Sequence, residues 1–129
     1  MRTIDLGKNA SIIPRLRVKG EAGSIVRITP AELLAANGRV NRASAGGGQA
    51  YWQYTLAGGG AEETWFPKFF YQGARYLQID LTPARAGGAL PDMTGIEGVV
   101  VQSSSPAAGE FSCSNELFNR IHALVRWAQ

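Results

Sequence analysis

The sequence predicts an all-β fold, an antiparallel β-sandwich of jelly-roll type with a C-terminal α-helix. Apolar and polar residues alternate through most of the chain, the two-residue period of half-buried strands. Gly- and Pro-rich turn signals separate the short runs, which is the layout of a sandwich or jelly roll. From residue 114 onward the period changes to that of an amphipathic helix. With 129 residues the chain is long enough for one domain and too short for two independent ones. Gly and Pro, 16 and 6 residues, make up roughly 17%, below the level of a disordered low-complexity chain.

In Arg15-Leu16-Arg17-Val18-Lys19 the apolar pair points one way and the cations the other, so this segment reads as an antiparallel strand. Pro14 cannot donate to a ladder and is expected at the strand's start or on an edge. Gly20-Glu21-Ala22-Gly23 supplies a turn, and Val26 and Ile28 alternate with Ile25, Arg27 and Thr29 in a second strand. The two are predicted to form a hairpin.

Residues 30–49 read as a loop with at most one helical turn, because Ala31 to Ala36 is short and bounded by Pro30 and Asn37-Gly38. Ala45-Gly46-Gly47-Gly48 extends it with residues that pack no core. A strand follows at residues 51–56 with Trp52, Tyr54 and Leu56 on one face, and Gly58-Gly59-Gly60 reverses the chain. In Trp65 to Tyr71 both faces carry large side chains, Trp65, Phe69 and Tyr71 on one and Phe66 and Phe70 on the other. One face is expected to fill the core and the other to meet a second layer or a neighbour. Val99-Val100-Val101 reads as a buried strand and Glu110 to Cys113 as a short last one.

Leu117, Phe118, Ile121, Leu124, Val125 and Ala128 form one apolar stripe of a helix, with Ser114 as its expected N-cap. The stripe runs to Gln129 without a stop signal, the pattern of a helix that leads into a further domain. The expected division is residues 1–113 as the β-sandwich and 114–129 as this connecting helix.

Composition excludes several functions. No run reaches the ~18 apolar residues of a membrane helix, and Met1-Arg2-Thr3-Ile4-Asp5 lacks the apolar stretch of a signal peptide. Neither a membrane nor a nucleic acid is expected as partner. The net charge is only +3, and Arg15, Arg17 and Lys19 read as the solvated face of a strand. One cysteine, Cys113, allows no internal disulfide and leaves the compartment open. It is expected to be buried as a small apolar residue.

No cofactor and no metal are expected. The glycine clusters match neither GxGxxG nor GxxxxGK[ST], and His122 with Cys113 falls short of a zinc ligand set. His122 is expected on the helix surface. Glu62-Glu63 would point to opposite faces of a strand, and the other acidic residues are isolated in sequence. No catalytic pair of carboxylates is therefore read. The aromatic residues are the remaining functional handle: Trp52, Trp65, Tyr71 and Arg75 are candidates to hold a sugar ring and its hydroxyls, beside the plainer reading that they pack the core. Charged residues make up 18% against a typical ~25%, which fits a surface that meets other protein.

Asp5-Leu6-Gly7-Lys8-Asn9 resembles a D-[FL]-G-x-N opening. Trp65, Pro67, Phe69, Tyr71, Gly73, Arg75 and Tyr76 resemble W-x-P-x-F-x-Y-x-G-x-R-Y. Pro106, Gly109, Phe111, Cys113-Ser114-Asn115, Leu117 and Asn119-Arg120-Ile121 resemble an exit into a first helix. Taken in order, these resemble the β-sandwich domain that immediately precedes the catalytic domain of bacterial α-L-rhamnosidases. Gln72 stands at that pattern's usual His and Ala74 at its usual aromatic position.

The resemblance implies a parent enzyme that removes terminal α-L-rhamnose with inversion, using acidic residues of an (α/α)6 barrel beyond this chain. It assigns no catalytic residue here. It implies a non-catalytic accessory domain whose partner is the catalytic barrel of its own parent chain. The alternatives are a carbohydrate-binding module that contacts rhamnose-containing glycans through Trp65, Tyr71 and Arg75, or a homo-oligomeric β domain joined through Phe66 and Phe70.

Overall fold

The computed structural model describes residues 1–45 and 48–128, so Gly46, Gly47 and Gln129 lie outside the described residues. The strands are β1 (Arg2–Lys19), β2 (Ile25–Ala31), β3 (Trp52–Thr55), β4 (Glu63–Trp65), β5 (Gln72–Thr82) and β6 (Asp92–Val100), followed by helix α1 (Glu116–Ala128). All pair antiparallel in the order β3-β2-β5-β1-β4, with β6 also on β1. The sheet curls into a sandwich-like body, as the alternating pattern predicts.

The long strand β1 makes the curl. Its first part pairs with β5 as far as Ile12, and its second part pairs with β6 from Ile12 to Lys19 and with β4 from Leu16 to Val18. Leu16 and Val18 have no ladder to β2 or β5, yet they share one buried cluster with Val26, Ile28, Leu77 and Ile79. The two parts of the sheet therefore meet face to face, as sandwich layers do. Pro14 lies inside β1 rather than at its start. It sits between the end of the β5 ladder at Ile12 and the start of the β4 ladder at Leu16, paired only with Gly98 of β6, so its missing N–H falls at a locally open edge.

The hairpin expected between β1 and β2 does not form. Both edges of β2 are taken, by β3 and β5. The turn after Lys19 bonds to the end of β3 instead: Gly23 N–H donates to the Leu56 carbonyl and Leu56 N–H to the Ser24 carbonyl, both at 2.9 Å. It carries the chain from one layer to the other. Residues 32–41 form a loop, and a single 3-10 turn follows at Arg42–Ala45.

The aromatic run after Trp65 is a loop, not a two-faced strand. β4 ends at Trp65 and β5 starts at Gln72; Pro67 has no N–H to give, and Phe69 takes a left-handed φ of 68° with its side chain fully exposed. Alternating faces cannot survive such a kink. The Val99–Val101 run is also not buried: β6 pairs with β1 alone, and Val100 is 44% exposed on this edge. No strand forms at residues 110–113, where Phe111 instead lies 5.2 Å from the His122 ring.

Helix α1 is capped by Asn115, one residue after the expected Ser114. The Asn115 side-chain oxygen accepts from Leu117 N–H at 3.0 Å, and its carbonyl accepts from Phe118 and Asn119. Asn and Ser cap equally well, so the geometry of the turn decides between neighbours. Glu116 in the first turn and Arg126 in the last suit the helix dipole.

Candidate functional site

The residues of the D-L-G-K-N stretch form a bulge in β1. Asp5 pairs with Tyr76 and Ala10 with Ala74, so the segment from Leu6 to Asn9 lies opposite Arg75 alone. The Asp5 carboxylate accepts from Gly7 N–H at 2.8 Å, which needs the φ of +85° that glycine supplies, and takes the Arg75 guanidinium on both oxygens at 2.9 Å. Two motifs far apart in sequence thus close on each other. At the other end of the bulge, Asn9 donates its amide to Glu32 at 2.9 Å and offers its carbonyl to the Trp127 indole N–H at 2.6 Å.

That last bond ties the helix to the sheet. Between them lies a cleft of about 460 Å³, floored by Ala10 and Gly73 and walled by Val101, Leu124 and Trp127, with Glu32 at its polar end. Lys8 covers one face of the Trp127 ring at 4.6 Å. Elsewhere α1 is open: Leu117, Phe118, Ile121 and Val125 are 46–61% exposed, and no residue of the helix is buried. Among the described residues no helix is long and apolar enough to cross a membrane. The apolar face of a well-capped helix here meets solvent. So do Phe69 and Tyr71 in the loop before β5.

Residues 2–102 match the family of the bacterial alpha-L-rhamnosidase concanavalin-like domain. The chain belongs to this family. It is 36% identical over 126 residues to an alpha-L-rhamnosidase of Streptomyces avermitilis and 35% identical over 130 residues to one of Formosa agariphila. These alignments cover 98% and 96% of the chain but only 12% and 13% of the relatives, so the chain spans about one-eighth of their length. In solved structures it resembles the alpha-L-rhamnosidase of Dictyoglumus thermophilum, with a TM-score of 0.83 at 35% identity, covering 98% of this chain and 14% of that one. It also resembles the Streptomyces avermitilis enzyme complexed with L-rhamnose, with a TM-score of 0.79 at 35% identity, covering 98% and 12%.

Within this rhamnosidase domain the sequence-derived sugar candidates are not brought together. Trp65 is half-buried and stacked on Tyr54, with ring centroids 5.2 Å apart. Arg75 is engaged by Asp5 and lies over the Tyr76 ring. Tyr71 is 59% exposed in the loop. Trp52 is buried against Phe70. No hydrogen bond, ion pair or ring contact among the described residues joins Trp65, Tyr71 and Arg75. Cys113 is exposed rather than buried, because the segment expected to shelter it as a strand is irregular. Arg15 and Arg17 both face Glu97, at 3.6 and 3.8 Å. The bulge, Glu32 and Trp127 carry the geometry that sequence reading left without a role.

Glu63 is the second well-bonded carboxylate. It accepts from the Tyr54 hydroxyl at 2.6 Å and from the amides of Ala57 and Gly58 at 3.0 and 2.9 Å. The Tyr54 bond, then the two amides, hold its carboxyl below the usual carboxylate range, and the same bond pushes the Tyr54 phenol up. The Arg75 guanidinium, then the Gly7 amide, lower Asp5 likewise. A lowered carboxylate contributes stability that is complete above its unfolded pKa and lost as pH falls through its native value. Tyr54 works the other way, and its share is lost as pH rises through the raised native value. Thermal melts between about pH 7 and 3 should therefore show stability falling below about pH 4, with a shallower fall in Asp5→Asn and Glu63→Gln. An unchanged acid limb in both variants would remove these groups as its cause.

Proposed function

We propose that the chain is a non-catalytic module of an inverting α-L-rhamnosidase, which packs on the catalytic domain of that enzyme and supports it. The observation that carries this reading is the exposed apolar face of α1. Full burial of a Leu, Ile, Val or Phe side chain contributes about 1.5–3 kcal/mol, so leaving several of them in water forgoes a large stabilisation that a packed neighbour would restore. The alpha-L-rhamnosidases it resembles are some eight times longer, which supplies such a neighbour. Five of the ten acidic residues are tied into the fold. Asp5 is held by Arg75, Glu97 by Arg15 and Arg17, Glu21 by Arg85, Glu116 by Arg120 and Glu63 by Tyr54. A hydrolase pair needs two carboxyl groups free to act across one bond.

The test has two arms. The purified chain should release no chromophore from p-nitrophenyl α-L-rhamnopyranoside, and release in proportion to protein would overturn the non-catalytic assignment. Mixed with the separately expressed catalytic domain it should bind, and Ile121→Asp should weaken that binding at least about tenfold, since a charge would enter a desolvated contact. Equal binding by the variant would sink the packing role of α1.

A further inference from the structure

We propose that the bulge in β1 is a preformed socket for the Trp127 indole, and that seating there fixes the direction in which α1 presents its open face. The helix has few other holds on the sheet. Among the described residues, the bond from the Trp127 indole N–H to the Asn9 carbonyl is the one hydrogen bond between α1 and a strand. At its other end α1 is held by the segment that leads into it. Asn119 exchanges two bonds with Cys113, both at 2.9 Å, and His122 lies against Phe111. That segment, residues 102–115, is exposed throughout and contains neither helix nor strand. With 13 residues the helix is about 20 Å long, a lever on an exposed connector at one end and in the socket at the other.

The socket is braced without the helix. The bulge takes the backbone from Leu6 to Asn9 out of the ladder with β5, so the Asn9 carbonyl is free for a donor from elsewhere. Both ends of the bulge are pinned. At the first, Asp5 is gripped on both oxygens by Arg75 and accepts from Gly7 N–H. At the second, the Asn9 side chain donates to Glu32. Glu32 is held in turn, because the Ser44 hydroxyl accepts from the amides of Glu32 and Leu33 at 3.2 and 3.1 Å and donates to the Asn41 carbonyl at 2.6 Å. None of these bonds involves α1. An acceptor aimed in advance loses little freedom when the indole bonds to it. Lys8, inside the bulge, adds its cation over one face of the ring.

Trp127 is 46% exposed, so water can take the place of its bond. Since no residue of α1 is buried, loss of the indole N–H should free the helix without opening the core. That makes Trp127 a positioning residue. What it positions for a partner rests on the proposed packing of the catalytic domain on α1; the socket itself does not.

Residual dipolar couplings of the chain should fit a single alignment for α1 and the sheet. In Trp127→Phe the α1 couplings should fall to below about two-thirds of those values as the helix swings on its connector, while the urea midpoint of the sheet stays unchanged. Asn9→Ala keeps the carbonyl and removes only its brace, so exchange of the Trp127 indole proton should quicken about three- to tenfold. Full α1 couplings in Trp127→Phe, a lowered sheet midpoint in that variant, or unchanged indole exchange in Asn9→Ala would overturn the socket. Mixed with the separately expressed catalytic domain, Trp127→Phe should raise Kd about three- to tenfold, because a smaller fraction of helices is seated. If only Ile121→Asp raises Kd, the presenting role of the socket is overturned and the packing stands. If neither variant raises it, the packing falls and the couplings alone still decide the socket.

Discussion

Leu16→Ala is expected to lower the stability of the domain by about 2–5 kcal/mol, read as a drop in the urea midpoint at unchanged slope. Leu16 is wholly buried. It lies on β1 where the strand has neighbours on both edges, Trp65 across from it on β4 and Ile96 on β6. Its side chain belongs to the cluster that also holds Ile28 of β2 and Leu77 of β5, so truncation opens a void between the two layers. Ile12 and Val18 are themselves fully packed in that cluster and cannot swing in to refill it, which places the loss toward the cavity-forming end of the range. A domain of this size holds about 5–15 kcal/mol in total, and a large share would go with one side chain. Leu117→Ala, on the open face of α1, should change stability by no more than about 0.5 kcal/mol. If the two substitutions had equal effects, the layers would not be held together through Leu16.

What sequence could show was set by the range of the interactions. Alternation places Leu16 and Val18, and Trp52 and Leu56, on the buried side because a strand's own pleat decides which residues share a face. Whether two consecutive strands pair is a different matter. The turn after Lys19 carries the same residues whether the chain doubles back or crosses to the facing layer, and only the claims of β3 and β5 on the edges of β2 decide it. The run from Trp65 to Tyr71 failed as a strand for a local reason that was visible, Pro67, and for one that was not, the left-handed turn at Phe69. The buried reading of Val99 to Val101 failed because an edge strand and a central strand can have the same composition.

The site was legible as motifs and not as geometry. Asp5 and Arg75 stood out singly in their patterns, but their ion pair spans a separation of 70 residues, and no spacing rule reaches that far. Glu32 had no partner in view until the β1 bulge brought Asn9 to it. Trp127 is absent from the apolar stripe that marks the last helix in sequence, and the Asn9 carbonyl freed by the bulge gives its indole N–H something to hold. Each case has the same cause. Irregular backbone exposes polar groups that regular ladders would consume, and these are the groups that gather distant side chains into a cleft.

The second large effect is expected at Gly58. Three glycines in a row, Gly58, Gly59 and Gly60, all adopt positive φ, at 80°, 105° and 80°, and in sequence they are indistinguishable. In space they differ. A Cβ on Gly58 would lie 2.6 Å from the Ala22 nitrogen and 2.7 Å from its Cβ, whereas one on Gly59 would meet nothing within 4 Å. Gly59→Ala therefore carries only the left-handed backbone term, about 1–2 kcal/mol. Gly58→Ala carries that term and must also push the turn after β1 away from the end of β3. The Gly23–Leu56 and Leu56–Ser24 bonds across that approach would stretch, each worth about 1 kcal/mol. The expected loss is about 2–5 kcal/mol, together with a weakened bond from Gly58 N–H to Glu63. Urea unfolding of the two variants side by side isolates the clash as their difference. Failure of Gly58→Ala to fold while Gly59→Ala folds would give the same answer in stronger form. Equal midpoints would mean that the close approach of Ala22 does not hold the crossover between layers.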